Sequence, residues 1–203
     1  HLSASRLVAL AADPAALALQ LRRPLPGAPS PQTRRGTAFH SWLERRFRAA
    51  ALLDLDELPG AADAGAADDG QLAVLQANFL ASEWAGREPF AVEVAVETPV
   101  AGVVVRGRID AVFRSVGPDG RVRYDVVDWK TGRPPVGDAA RARDVQLAVY
   151  RLAWSRLHGV PAQDVSAAFF HASTGQTVRP VDLHDAAALE ALVASVPAGE
   201  GGP

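Results

Sequence analysis

The residues best suited to chemistry in this sequence lie two and four apart. Asp128 and Lys130 close the run Tyr124-Asp125-Val126-Val127-Asp128-Trp129-Lys130, which reads as a strand, and a spacing of two sets a carboxylate and an amine on one face. A further carboxylate, Asp110, follows Gly107-Arg108-Ile109 on the preceding apolar run, where a hairpin would bring it beside Asp128. Two neighbouring carboxylates repel, and the pKa of one rises unless a hard, oxygen-loving cation such as Mg2+ or Mn2+ keeps both ionised as ligands. Such an ion beside an ammonium group suits phosphodiester hydrolysis. Taken alone, an Asp-x-Lys triplet also reads as a strand-end ion pair, so its surroundings must decide.

Of the 21 basic residues, 20 are arginine and the single lysine is Lys130. Arginine cannot supply a compact, tunable ammonium, which makes that lysine a candidate for chemistry rather than solubility.

The elements that would carry these groups follow from periodicity. Helices are expected near 3–12, 36–52, 71–86, 142–158 and 184–195, and strands near 90–98, 103–114, 121–130, 165–172 and 176–181. Phe39, Leu43 and Phe47 recur four apart as a buried helical stripe. Val92, Val94 and Val96 alternate with Glu93, Ala95 and Glu97, the mark of a half-buried strand. Pro99 to Gly102 supplies one turn and Gly117-Pro118-Asp119-Gly120 another, so three adjacent antiparallel strands are implied. With a helix and a further strand after them, the expected class is α/β (α+β), a mixed central sheet flanked by helices. Trp42, Trp84 and Trp154 sit at helical apolar positions and read as core.

Composition bounds the rest. A chain of 203 residues, 48% hydrophobic, can fill a core, and its net charge of -2 excludes a basic nucleic-acid coat and an acidic disordered tail. Charge is uneven: residues 1–48 carry eight arginines against Asp13 and Glu44, whereas 49–70 carry six acids and no base. Residues 54–70 therefore read as an acidic flexible loop and 197–203 as a tail, leaving 1–196 as one domain. Arg34, Arg35, Arg45, Arg46 and Arg48 form the densest basic cluster, and could line an entry path for single-stranded DNA or serve only as a solvated face. Without cysteine there is no disulfide, thiolate zinc site or iron–sulfur cluster, which fits a reducing, cytoplasmic setting. No segment reads as membrane-spanning or as a secretory signal, and the lack of methionine suggests a piece of a longer chain.

Four segments in order, Gly36-Thr37-Ala38-Phe39-His40, Gly107-Arg108-Ile109-Asp110, Asp128-Trp129-Lys130 and Gln146-Leu147-Ala148-Val149-Tyr150, resemble the PD-(D/E)XK nuclease superfamily in its RecB-like branch. The opening Leu2-Ser3-Ala4-Ser5-Arg6-Leu7 and Arg34-Arg35-Gly36-Thr37 also resemble the nuclease domain at the C-terminus of actinobacterial UvrD/Rep-type helicases. The resemblance implies a restriction-endonuclease-like core and a Mg2+- or Mn2+-dependent deoxyribonuclease acting in DNA end processing. It implies His40, Asp110, Asp128 and the Trp129 carbonyl as metal ligands and Lys130 as the catalytic amine. Gln146 and Tyr150 would orient the lysine or grip DNA, Arg108 would reach phosphates, and Glu93 would be an accessory acid. The implied partners are DNA, helicase motor domains of the same full-length chain and a second helicase–nuclease subunit, with no membrane. A catalytically silent nuclease-fold module that binds DNA or docks a partner subunit is the alternative. No Gly-x-x-x-x-Gly-Lys-Ser/Thr phosphate loop occurs, so an ATP-driven motor would lie outside these residues.

Overall fold

A computed structural model of the chain describes residues 2–13, 30–52 and 69–195. The elements run β1 (Leu2–Ser3), α1 (Ala4–Ala12), α2 (Pro31–Leu52), α3 (Asp69–Leu80), β2 (Ala91–Val100), β3 (Val103–Val116), β4 (Val122–Lys130), α4 (Asp138–His158), β5 (Val165–His171), β6 (Gln176–Val178) and α5 (Ala186–Ala194). The six strands form one mixed sheet. β3 pairs antiparallel with β2 along one edge and with β4 along the other, where β1 adds a short parallel pair; β4 runs parallel to β5, which pairs antiparallel with β6. The expected class and the three adjacent antiparallel strands are therefore observed. The stretch 54–68 of the expected acidic loop and the tail 197–203 lie outside the described residues, whereas Asp69 and Gly70 open α3.

Most departures from expectation are at element ends, where local caps decide. α2 begins at Pro31 rather than 36, because the Ser30 hydroxyl accepts from the Thr33 backbone N–H at 3.1 Å and Pro31 fits the first helical position. α3 stops at Leu80 rather than 86. There the Ser82 hydroxyl donates to the Phe79 carbonyl, and the following turns bury Trp84, whose indole N–H reaches Thr177 Oγ1 at 3.0 Å. Ser3 is the N-cap of α1, not its first residue, so Leu2 and Ser3 are freed to pair with Val105 and Arg106. The first hairpin turns on Ala101 and Gly102 alone, both at positive φ, as a tight two-residue turn requires. Pro99 stays within β2, tolerated because β2 is an edge strand.

Two cores cover the two faces of the sheet. On one face α1, α4 and α5 pack through Leu7, Leu10, Leu147, Val149, Trp154 and Leu189. On the other, α2 and α3 supply Phe39, Leu43, Phe47 and Phe79, which meet Phe113, Trp129 and Phe170. The expected stripe Phe39–Leu43–Phe47 is thus buried. Trp84 and Trp154 are core as expected, while Trp42 is half-buried and stacks on Phe39.

Side-chain alternation slips by one at a single rung. On β2, Val92 belongs to the aromatic face and Val94 and Val96 to the opposite one; on β3, Ile109 and Ala111 likewise divide between the faces. The residues at the slip are Glu93 and Asp110, which lie between the paired rungs Val92–Ala111 and Val94–Ile109, and Glu93 adopts φ 51. A left-handed non-glycine residue inside a strand costs about 1 kcal/mol or more, and such strain concentrates at functional sites.

Candidate metal centre and active site

Where that rung meets β4 the sheet opens. Pairing between β3 and β4 ends at Ala111 and Val127; one further rung would set Asp110 opposite Asp128. Instead, Asp110 Oδ2 accepts from the Trp129 backbone N–H at 2.7 Å, its side chain taking the place of a ladder bond. The opened strands leave a cleft of about 440 Å³, walled by α1 and α4 on one side and reached by His40 from α2 on the other.

Each wall is fixed by its local sequence. Gly36 lies against the Thr131 side chain, and one helical turn later His40 reaches over the end of β4. Its Nε2–H donates to the Trp129 carbonyl at 3.1 Å. Because a carbonyl only accepts, the free lone pair is on Nδ1, which faces Asp110 Oδ1 at 3.7 Å. Burial lowers the pKa of His40, against the opposing pull of Asp128 and Glu93, and favours this neutral form. Gly107 is required for a different reason: a Cβ there would stand 2.4 Å from the Tyr150 ring.

Asp128, Lys130 and Gln146 close a ring of polar contacts. Lys130 Nζ lies 2.6 Å from Asp128 Oδ2, an ion pair off the line of a directed hydrogen bond, and donates to Gln146 Oε1 at 3.1 Å. Gln146 Nε2 donates to Asp128 Oδ1 at 2.9 Å and to the Tyr150 hydroxyl oxygen at 3.0 Å. The amide must present its oxygen to the ammonium and its nitrogen to the carboxylate, so only glutamine satisfies both neighbours. Burial, reinforced by Asp128, pushes the Tyr150 phenol up to about 12, so its O–H remains a donor at working pH.

Three side chains are grouped closely enough to hold a cation, two of them from the expected set. His40, Glu93 and Asp110 each offer a ligand atom, all within 4.8 Å of one another, whereas Asp128 turns toward Lys130 and Gln146. Burial and the Asp128 charge push the Asp110 carboxyl well above the usual carboxylate range, the Trp129 N–H opposing them. A nitrogen lone pair, two carboxylates and a pKa raised by confinement form a donor set that a hard divalent cation fits. The Trp129 carbonyl faces the same space but already accepts from His40. Its indole is buried among Phe47, Phe79, Trp84 and Phe170.

The expected set is thus largely gathered. His40, Asp110, Asp128, Trp129, Lys130, Gln146 and Tyr150 line one cleft, with Arg108 at its margin. Gln146 and Tyr150 are buried and bonded to each other, and Gln146 also bonds Asp128 and Lys130. Arg108 Nε pairs with Glu93 Oε2 at 2.9 Å. Arg34 and Arg35 lie near the start of α2 and do not line the cleft. Arg45, Arg46 and Arg48 are about 16 Å further along that helix; Arg48 pairs with Glu44 and Arg46 donates to the Ala85 carbonyl, so the five arginines do not make one patch. Sequence reasoning gave Glu93 only an accessory part, since its placement depends on a backbone twist that alternation does not announce. It overlooked the Ser3–Ser5 wall and His171 altogether.

The chain belongs to the PD-(D/E)XK nuclease superfamily, whose family model matches residues 1–199. Its fold fits a restriction-endonuclease-like core, and nucleases of this superfamily use divalent metals, in keeping with the His/Glu/Asp cluster. The chain is similar to the Gene 69 protein of Mycobacterium phage D29, 39% identical over 95 residues, which is 47% of this chain and 31% of the phage protein. The matched stretch therefore spans about a third of that relative's length. A solved structure, that of SSO0001, aligns with 80% of this chain and 69% of its own at 19% identity and a TM-score of 0.39. Among the described residues, no helix is long and apolar enough to cross a membrane.

Proposed function

We propose that this chain is a divalent-metal-dependent deoxyribonuclease of the RecB-like branch, hydrolysing phosphodiester bonds in DNA, with single-stranded DNA as its immediate substrate. It acts as the nuclease domain of a bacterial helicase–nuclease in cytoplasmic DNA end processing and recombinational repair, joined to motor domains in the full-length protein and working with a second subunit. The observation that supports the chemistry best is the meeting of His40, Glu93 and Asp110 with the Asp128–Lys130–Gln146 ring at one opened rung of the sheet.

His40, Glu93 and Asp110 would hold Mg2+ or Mn2+, with Asp128 and the Trp129 carbonyl nearest for completing the shell. When bound, such an ion supplies Lewis acidity toward a phosphate oxygen and an attacking water. The protein's own groups do the rest. Lys130, held between Asp128 and Gln146, presents positive charge where negative charge builds on the phosphate, which is stabilising because the ammonium is in place beforehand. Tyr150 keeps its proton and fixes the far side of Gln146. Arg108, and Arg34 and Arg35 farther out, would meet backbone phosphates as the strand enters.

End-labelled single-stranded DNA incubated with the full-length protein in Mn2+ tests this reading. Cleavage is expected, abolished by chelator and reduced about a thousandfold or more in Asp128→Ala. Binding of DNA with no cleavage in Mg2+ or Mn2+ would instead identify a silent nuclease-fold module.

A further inference from the structure

The end of β4 is held by two histidines, of which only His40 belongs to the cation-binding group. The other is His171, the last residue of β5, almost fully buried and paired directly beside Lys130 in the parallel ladder. Its Nδ1–H donates to the Gly132 carbonyl at 2.9 Å, just past the lysine, while the Ala172 N–H bonds the Lys130 carbonyl at 2.7 Å. His171 is itself anchored, its carbonyl accepting from the Thr174 and Gly175 backbone N–H groups of the next turn. The Lys130 ammonium lies over the ring of Phe169, which is on β5 with His171, at 5.5 Å. Lys130 is thus flanked: His40 holds the carbonyl before it and His171 the carbonyl after Thr131.

We infer that His171 is a positioning residue for Lys130, its imidazole fixing the Thr131–Gly132 turn so that the ammonium stays between Asp128 and Gln146. The inference rests on the proposed role of Lys130 for its meaning in catalysis, but its geometry can be tested without catalysis. A ring fully enclosed beside a charged side chain must have its N–H matched, and the Gly132 carbonyl is the acceptor it finds. Replacing the imidazole by an apolar group would leave that carbonyl unbonded and release the turn.

Because Lys130 is the only lysine among these 203 residues, this segment grown with 13C,15N-lysine reports this one side chain with no assignment needed. The informative variants are His171→Asn, whose amide nitrogen falls near the position of Nδ1, and His171→Gln, whose amide falls one bond farther out. In the wild-type protein and His171→Asn the two Hε protons of Lys130 should be inequivalent, as in a held side chain. In His171→Gln and His171→Leu they should merge as the chain rotates freely. On single-stranded DNA with Mn2+, the Gln and Leu variants should lose about tenfold in kcat with KM nearly unchanged, and the Asn variant should recover most of it.

Identical lysine signals in folded Asn and Gln variants would overturn the inference, whatever the enzyme does. Should the Leu variant fail to fold, the Asn–Gln pair still decides. A clear change in the lysine signal, with no cleavage by the wild-type protein in either metal, would uphold the positioning and remove the proposed function instead.

Discussion

Asp128 and Trp129 are adjacent in the chain and face opposite ways, and the contrast between them divides the molecule. Trp129 enters a face closed by aromatic rings, in edge contact with Phe79 at 5.6 Å and Phe170 at 6.0 Å, where burial does the stabilising. Asp128 enters the face where an amide, an ammonium and a phenol occupy space that apolar side chains would otherwise fill. The aromatic side keeps the strand ends still. The polar side accepts repulsion between two acids and a left-handed Glu93, both of which work against folding in the absence of a cation. One side of β4 is built for stability and the other for chemistry, and a change on either should register in a different measurement.

The sharpest break pairs Asp110→Asn with Trp129→Ala. Trp129→Ala should cost about 3–5 kcal/mol in a denaturant titration, as expected for a large ring lost from a close-packed core. Asp110→Asn should abolish Mn2+ binding by calorimetry and yet raise the stability of the metal-free protein. The sign follows from the raised pKa of Asp110. Its folded state holds the proton more tightly than the unfolded chain, so the stability this group contributes is present at low pH and lost as pH rises through the raised value. The advantage of the Asn variant should therefore grow with pH, and Mn2+ affinity in the wild type should fall as acid returns the proton. An Asn variant less stable than wild type at pH 8 would overturn this account.

Gly107→Ala should be milder. The new methyl would drive the Tyr150 ring aside and with it Gln146, slowing cleavage roughly 10–100-fold with Mn2+ affinity unchanged, because none of the cation-binding side chains moves. The smallest effect is expected for Glu93→Gln, about tenfold in Mn2+ affinity, with Glu93→Gly losing the same affinity while relieving the backbone. Unaltered metal affinity in both would take Glu93 out of the cation-binding group.

Much of this was legible in the sequence because periodicity carries it. The stripe of Phe39, Leu43 and Phe47, the alternation ending in Asp128 and Lys130, and the four-residue spacing of Gln146 and Tyr150 each translate directly into a face. What could not be read depends on departures from regularity. Glu93 was placed on the same face as Glu97 by strict alternation, but Glu97 points outward to pair with Arg106 while Glu93 turns into the site at a slipped rung. The opening between β3 and β4 has no sequence mark of its own, since it arises when the Asp110 side chain replaces a backbone partner. His171 owes its position to a parallel pairing between strands joined through α4, a relation that no local pattern encodes.

The bond from His40 to the Trp129 carbonyl joins residues 89 positions apart, and the amide that grips Lys130 comes later still, on α4. Contacts of such long range form late, after the ends of the loops they close have met. A ribosome-bound chain that has not reached α4 and β5 has the acids and the lysine but neither the Gln146 amide nor the strand beside β4 that set them.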